Sequence, residues 1–393
     1  MKKKISVIFI FLAFILTMGC FTGFKINTQH KVYAVDTIQS KSAYLIEPNS
    51  KTVIYSKNEN ERLPIASMCK IMTLLLSFEA IDQGIIKYDD LVCISKNASS
   101  MGGSQVFLEE NGKYCVGELI KSITVASAND ACVAMAETIC GSEENFVEKM
   151  NIKAKELQMN DTLFSNCTGL PAPEQYSSAK DVATMFSELI KHDDYFRFSR
   201  IWTDKVAHPN DRYTEITNTN KLVKFYQGCD GGKTGYTSEA GHCLSSTACR
   251  NDMRFICVVI CAPDSKTRFK EVSNMFNYAF DNYTNKLIID NEQPLDIKVD
   301  VKCGKKQNLS VIPEKPFYLL SKKNNERQIE IDFNPTEKIK APVNKGDVVG
   351  KLSIYEKGEL LKEINVLANE TIKSQTYFDV IKNICNNWSL TNI

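Results

Sequence analysis

The sequence predicts an α/β (α+β) architecture, with one sheet built from both ends of a large first domain and covered by helices. A small all-β domain and a C-terminal amphipathic helix follow. Three observations carry this. Alternating apolar runs begin near residue 42 and return from residue 235. Between them, residues 116–192 repeat apolar side chains at three- and four-residue intervals. After Asp290 the pattern changes to short alternating strands separated by glycine turns. Strands at both ends with helices between fit a single layered sheet.

The 393 residues suffice for two domains of roughly 150 each. Apolar residues make up 43% and charged residues 24%, as in an ordinary globular protein. The formal net charge is +1 and no long basic run appears, so no nucleic-acid partner is expected. The four histidines, His30, His192, His208 and His242, have no metal-ligand spacing, so neither metal nor cofactor is expected. The 14 cysteines contain no C-x-x-C pair, and losing Cys20 with a leader leaves an odd number. Cys132, Cys140, Cys257 and Cys261 fall at core-like positions, so mostly reduced, structural thiols are expected.

In chain order, "MKKKISVIFIFLAFILTMGCFTGF" is a lysine n-region and an apolar run, and "KVYA" places Val32 and Ala34 at the small positions that signal peptidase prefers. Residues 1–34 read as a cleaved secretory signal. An uncleaved anchor and lipidation at Cys20 are the alternatives, and all three put the rest outside the cytoplasm. "SAYLIEPNSKTVIYS" is a hairpin signal, and a helix from Ser67 runs to about Gly84. The first domain is placed at 35–289. Within it, "GELIKSITVASANDACVAMAETICG" and "ENFVEKMNIKAKELQM" are helical, and two strands meet at Arg250-Asn251-Asp252. "TRFKEVSNMFNYAFDNY" is the last amphipathic helix of this domain. The β-rich domain is placed at 290–370. In 371–393, Tyr377, Ile381, Ile384 and Trp388 recur at helical spacing. That pattern fits either a helix packed on the β domain or an interfacial helix on a membrane surface.

"LPIASMCKIMTLLLSFEAI" sets a serine at the head of an apolar helix and a lysine three residues later. Burying an unpaired ammonium is heavily disfavoured. Either Ser67 caps the helix and Lys70 snorkels, or Ser67 is a nucleophile and Lys70 its base. A lone S-x-x-K is weak: Ser177 and Lys180 match it too, and Ser56-Lys57-Asn58 and Ser95-Lys96-Asn97 match S-x-N. Order separates signal from chance. Ser67-x-x-Lys70 opens a helix, Ser127-Ala128-Asn129 lies at a break between helical runs, and Lys233-Thr234-Gly235 enters a strand. That order is the motif set of penicillin-binding proteins and β-lactamases.

With "PIASMCKIMT", "SITVASANDACVAMAE", "FSNCTGL", "CDGGKTGYTSEAGHCL" and "APVNKGDVVGKL", the chain resembles the D-alanyl-D-alanine carboxypeptidases of the low-molecular-weight penicillin-binding protein type, from about Ser42 onward. The resemblance implies a serine β-lactamase/penicillin-binding-protein-like transpeptidase fold, a β-rich second domain and an amphipathic anchor. It implies removal of the terminal D-alanine from peptidoglycan stem peptides through an acyl-enzyme on Ser67, with β-lactam antibiotics as covalent inhibitors. Lys70 is then the base, which requires a depressed pKa from burial and the Lys233 charge. Ser127 relays a proton to the leaving nitrogen, and Asn129 contacts the acyl side. Lys233 supplies positive potential, Thr234 and Arg268 meet the terminal carboxylate, and the N–H groups of Ser67 and Tyr236, the latter following Gly235, form the oxyanion hole.

Three departures from the family pattern stand out. Cys69 replaces a usual threonine, Pro171 and Pro173 crowd one segment, and Gly232 replaces an apolar residue, which is expected to loosen the strand. A β-lactamase would need a deacylating acid, and "FSNCTGL" offers none. A non-hydrolytic penicillin or peptidoglycan sensor is the other alternative. The expected location is extracytoplasmic, on the outer face of the membrane.

Overall fold

The structure, a computed structural model, describes residues 38–382 other than Glu326. The leader at 1–34 and the helical positions Ile384 and Trp388 lie outside the described residues. The central sheet is wholly antiparallel. Strands β1 (Ser42–Glu47) and β2 (Thr52–Lys57) form the N-terminal hairpin. Two small hairpins follow, β3 (Leu91–Cys93) with β4 (Lys113–Cys115) and β5 (Thr203–Ala207) with β6 (Tyr213–Thr217). Strands β7 (Cys229–Thr237), β8 (Gly241–Arg250) and β9 (Met253–Ala262) complete the sheet in the order β2-β1-β9-β8-β7. The two ends of the domain therefore meet at β1 and β9, with Tyr44 opposite Val258. The β8–β9 turn is made by Asn251 and Asp252, both at positive φ, which these side chains tolerate.

Period-two alternation along β9 shows how the sheet is covered. Ile256, Val258 and Ile260 join one core and Phe255, Cys257 and Val259 the other. The first core holds α1 (Lys70–Asp82), α2 (Val116–Lys121), α3 (Asn129–Cys140), α4 (Glu143–Glu156) and α5 (Ala179–Leu189). Helix α1 is buried on nearly every side, which explains a sequence apolar all round. The second core is capped by α6 (Ser265–Asn282) through Val272, Met275, Phe276 and Ala279. Ser142, Ser178 and Asp264 start α4, α5 and α6 by accepting backbone N–H groups. Residues 38–40 are clasped to this layer: Glu271 accepts the Ser40 N–H, and Lys57 Nζ donates to the carbonyls of Ile38 and Ser40. All twelve cysteines among the described residues are free thiols.

Beyond α6 the chain is β-rich. Strand β10 (Tyr283–Ile289) pairs with β14 (Phe317–Lys322), so pairing begins at Tyr283, ahead of the composition shift at 290. Strands β11 (Val299–Asp300) and β12 (Asn308–Leu309) pair with each other. Strands β13 (Val311–Pro313), β15 (Ile329–Pro335), β16 (Val348–Glu356) and β17 (Glu359–Ala368) form a sheet ordered β13-β17-β16-β15. Its core is aliphatic, with Val311, Leu352, Ile354, Ile364 and Val366 at its centre. Residues 377–382 are helical and leave Tyr377 and Phe378 exposed. Among the described residues no helix is long and apolar enough to cross a membrane.

Candidate active site

Ser67 lies in a 3-10 turn, Ala66–Cys69, that runs into α1. Buried Ile65, Met68 and Cys69 root this turn in the core, while Ser67 itself is part-exposed. Ser67 makes no capping hydrogen bond, and Lys70 is fully buried, so the cap-and-snorkel reading does not hold. Ala66 takes φ +48, a strained value for a residue with a side chain. Gly169 presses on that strained residue: a Cβ there would lie 2.0 Å from the Ala66 carbonyl oxygen. Gly235 closes the turn from the other side, where a Cβ would lie 2.6 Å from the Ile65 carbonyl oxygen and 3.3 Å from Ser67 N. Strand β7, the last in the sheet, thus lies along the serine turn.

Lys70 Nζ is 3.1 Å from Ser67 Oγ, 2.6 Å from Asn129 Oδ1 and 2.5 Å from the Thr168 carbonyl oxygen. Helix α2 widens into a π turn, Ser122–Ala126, and Ser127 then adopts a left-handed conformation at φ 64° before α3 begins at Asn129. The predicted helical break is this junction, and it swings Ser127 Oγ to 2.6 Å from Lys233 Nζ. Lys233 also donates to the Thr234 carbonyl oxygen and is almost fully buried. Burial, and after it the Lys70 charge, pushes Lys233 well below the ordinary lysine pKa. Asn129 is oriented by Gly102, whose carbonyl accepts from its Nδ2 at 2.6 Å.

The structure gathers Ser67, Lys70, Ser127, Asn129, Lys233, Thr234 and Gly235 around one cleft; Tyr236, next along β7, is exposed and stacks on His242 at 4.4 Å. Arg268 sits behind β7, where its Nη1 donates to the carbonyls of Gly235 (2.9 Å) and Cys243 (3.1 Å), bracing the strand. The chance matches fall elsewhere. Ser177 Oγ pairs with Thr162, Ser95 caps a short helix, and Lys57 serves the N-terminal clasp. Gly232 does not loosen β7. It sits at φ +146, its N–H donates to Tyr195 Oη at 3.0 Å, and a Cβ would lie 2.4 Å from the Ser245 carbonyl oxygen, so close packing requires glycine there. Strand β7 also begins earlier than expected, at Cys229. Cys69 donates to the Asn166 carbonyl, and burial raises its thiol pKa, leaving a packing group with no free thiolate.

Sequence reasoning assigned no role to Asn166, although it lies in "FSNCTGL". Its Oδ1 accepts from Thr168 N, Thr168 Oγ1 and Gly169 N, and its Nδ2 donates to the Leu170 carbonyl. Gln175 holds the same loop through Asn166 N and the Leu170 carbonyl. This coil aims the Thr168 carbonyl at Lys70. The hairpin β5–β6 was also unforeseen. Through Thr214 and Arg212 it holds the carbonyls of Val106 and Phe107, while Asp130 accepts the N–H groups of Val106 and Leu108.

A serine with two buried lysines at the edge of an antiparallel sheet flanked by helices defines the class: a serine hydrolase with the penicillin-binding-protein fold. A family model described as D-alanyl-D-alanine carboxypeptidase matches residues 27–264, and one described as penicillin-binding protein 5, C-terminal domain, matches residues 283–374. The chain is 43% identical over 352 residues to the D-alanyl-D-alanine carboxypeptidase DacF of Bacillus subtilis (strain 168), covering 89% of this chain and 90% of that protein. It is 29% identical to DacC of Escherichia coli (strain K12), covering 87% and 86%. The solved structure of penicillin binding protein 5 from Haemophilus influenzae aligns with TM-score 0.67 at 27% identity, over 86% of this chain and 98% of that one. A peptidoglycan synthesis regulatory factor (PBP3) from Streptococcus pneumoniae aligns with TM-score 0.74 at 27% identity, over 86% and 100%. The chain belongs to the D-alanyl-D-alanine carboxypeptidase family of serine peptidases.

Proposed function

We propose that this chain removes the terminal D-alanine from peptidoglycan stem peptides, with Ser67 as the nucleophile and Lys70 as its base. The observation that carries the assignment is the environment of Lys70 Nζ. Asn129 Oδ1 and the Thr168 carbonyl are pure acceptors and take two of its N–H bonds. The remaining position faces Ser67 Oγ, which places Lys70 Nζ to receive the hydroxyl proton as oxygen attacks the carbonyl carbon. The N–H groups of Ser67 and Tyr236 serve the developing oxyanion. Ser127 returns a proton to the departing nitrogen, backed by Lys233, and water then releases the shortened peptide. Lys233, Thr234 and Arg268 favour an anionic terminus, Arg268 through the strand it braces. An extended substrate lies along the open edge of β7, as peptides add to a free strand. β-Lactams acylate the same serine. The test is release of D-alanine from a peptide ending in Lys-D-Ala-D-Ala. Release that disappears in Ser67→Ala, by about 10⁴-fold or more, is expected. A stable penicillin adduct without release of D-alanine would overturn the hydrolytic reading in favour of a sensor, and an adduct on Ser177 would overturn the site.

We further propose an extracytoplasmic location, with residues 371–393 resting on the membrane surface. The leader pattern and exposed Tyr377 and Phe378 support this reading. Ending the chain at residue 370 should shift it from the membrane to the soluble fraction. Retention of the shortened chain on membranes would remove the anchor assignment.

A further inference from the structure

The pairing of β8 with β9 carries one bulge, and it brings two cysteines together. From His242 to Leu244 the register advances two residues, while from Ala262 back to Val259 it passes three, so Cys243 faces both Ile260 and Cys261. Strict alternation would send Ile260 and Cys261 to opposite faces. Instead Cys261 takes φ +59, and both residues pack on the core that holds Cys243. The two sulfurs meet beside Gly241. Cys243 Sγ lies 3.9 Å from the Gly241 carbonyl oxygen, and a Cβ on Gly241 would lie 3.3 Å from Cys261 Sγ. The Cys261 N–H faces the Cys243 sulfur. Residues facing across an antiparallel pair have Cα atoms about 4.5–5.5 Å apart, inside the range of about 4.4–6.8 Å that a disulfide spans. Cys243 is fully buried, but Cys261 is part-exposed, with Lys41 donating its N–H to the Cys261 carbonyl at 3.3 Å.

We propose that Cys243 and Cys261 form a reactive dithiol, which a small external disulfide converts into a cross-strand disulfide, and that closing this bond slows acylation of Ser67. The Cys261 thiolate attacks one sulfur of the reagent and expels its other half. Cys243, giving its proton to solvent, then attacks Cys261 Sγ and expels the second half. Two protein thiols are oxidised, and the reagent takes up the two electrons and two protons and leaves as two thiols. Burial pushes the Cys243 thiol up to about 12, which makes the second step the slow one. The route to the nucleophile is short. Cys243 pairs with Gly235 on β7, and one Arg268 nitrogen, Nη1, holds the carbonyls of both. Gly235 in turn lies against the Ile65 carbonyl and Ser67 N, so drawing Cys243 toward β9 disturbs the serine turn. The bond follows from the bulge alone, whereas its effect rests on the assignment of Ser67.

The test treats the full chain with hydroxyethyl disulfide, blocks remaining thiols with iodoacetamide and maps peptides without reductant. A peptide pair joined through Cys243 and Cys261 is expected. Penicillin acylation should slow by about tenfold or more, as small displacements at a reacting centre do, and dithiothreitol should restore it. Cys261→Ser should lose the joined pair and keep the untreated acylation rate in the presence of the reagent. Cys261 ending as a stable mixed disulfide, or left unreacted while exposed Cys93 and Cys303 are modified, overturns the dithiol. A joined pair with acylation unchanged, or slowing that persists in Cys261→Ser, overturns the coupling to Ser67. An untreated chain that forms no penicillin adduct overturns the serine assignment instead, and the peptide map then decides the bond by itself.

Discussion

The catalytic domain and the β-rich domain bury different things. Around the cleft, Lys70, Lys233, Asn129 and Asp130 are all nearly or fully buried, and the backbone is strained at Ala66 and Ser127. In the β-rich domain the buried polar groups are two hydroxyls, Ser321 and Ser353, and no charged side chain among the described residues is buried. Most of its ion pairs, such as Lys351–Glu363, lie at the surface, and Arg327–Glu356 is only part-buried. A fold that only has to hold its shape keeps charge outside, where solvation is free. One that has to move protons accepts buried amines and strained turns, then offsets them with close packing. The contrast locates the chemistry without reference to any motif.

Alkaline pH tests the contrast most severely. Cys69, Cys132, Cys167, Cys243 and Cys257 are fully buried in the catalytic domain, and burial raises the pKa of each thiol, to about 12 for Cys132 and Cys243. The unfolded chain loses these protons near pH 9, whereas the folded chain keeps them. The stabilisation is therefore complete below about pH 9 and is lost as pH rises above it, for Cys132 and Cys243 up to about pH 12, at about 1.4 kcal/mol per pH unit for each thiol. Cys303, the one described cysteine of the β-rich domain, is exposed. Calorimetric scans from neutral to alkaline pH should show the catalytic transition fall first. Equal loss in both domains would contradict the contrast.

Lys70→Ala comes next. It should lower penicillin acylation by about 10²–10⁴-fold with substrate affinity little changed, as removal of a general base does. Unchanged acylation kinetics would take the base role away from Lys70. Ile354→Ala addresses the other domain. It deletes a fully buried aliphatic side chain and should cost about 2–5 kcal/mol of that domain's stability. The acylation rate should be untouched, and a slowed rate would mean that the two domains are coupled.

Much of this molecule was legible in the sequence where residue type and chemistry coincide. The serine, the two lysines and Asn129 are types whose burial demands a reason, so their order along the chain pointed to one site. Strands β8 and β9 were readable from the turn at Arg250-Asn251-Asp252 and, in β9, from a continuous apolar run. What escaped notice acts through the backbone. The Thr168 carbonyl that holds Lys70 exists at every residue, and only the side chain of Asn166 coils the loop that aims it. Gly232 read as weakness because its missing side chain is visible in sequence, while Asn220 and Ser245, which fill the space, lie elsewhere along the chain. The hairpin β5–β6 is mostly polar and exposed, which leaves little periodicity to detect.

Strand β7 ends the sheet, yet seven of its nine residues are buried. A bare strand edge is ordinarily a liability, because any neighbouring molecule with an extended segment can pair with it and propagate a larger assembly. Here the turn that carries Ser67 packs against Gly235, so the molecule itself covers part of that edge. The contact that places the nucleophile thus also leaves copies of the protein less bare edge to pair with.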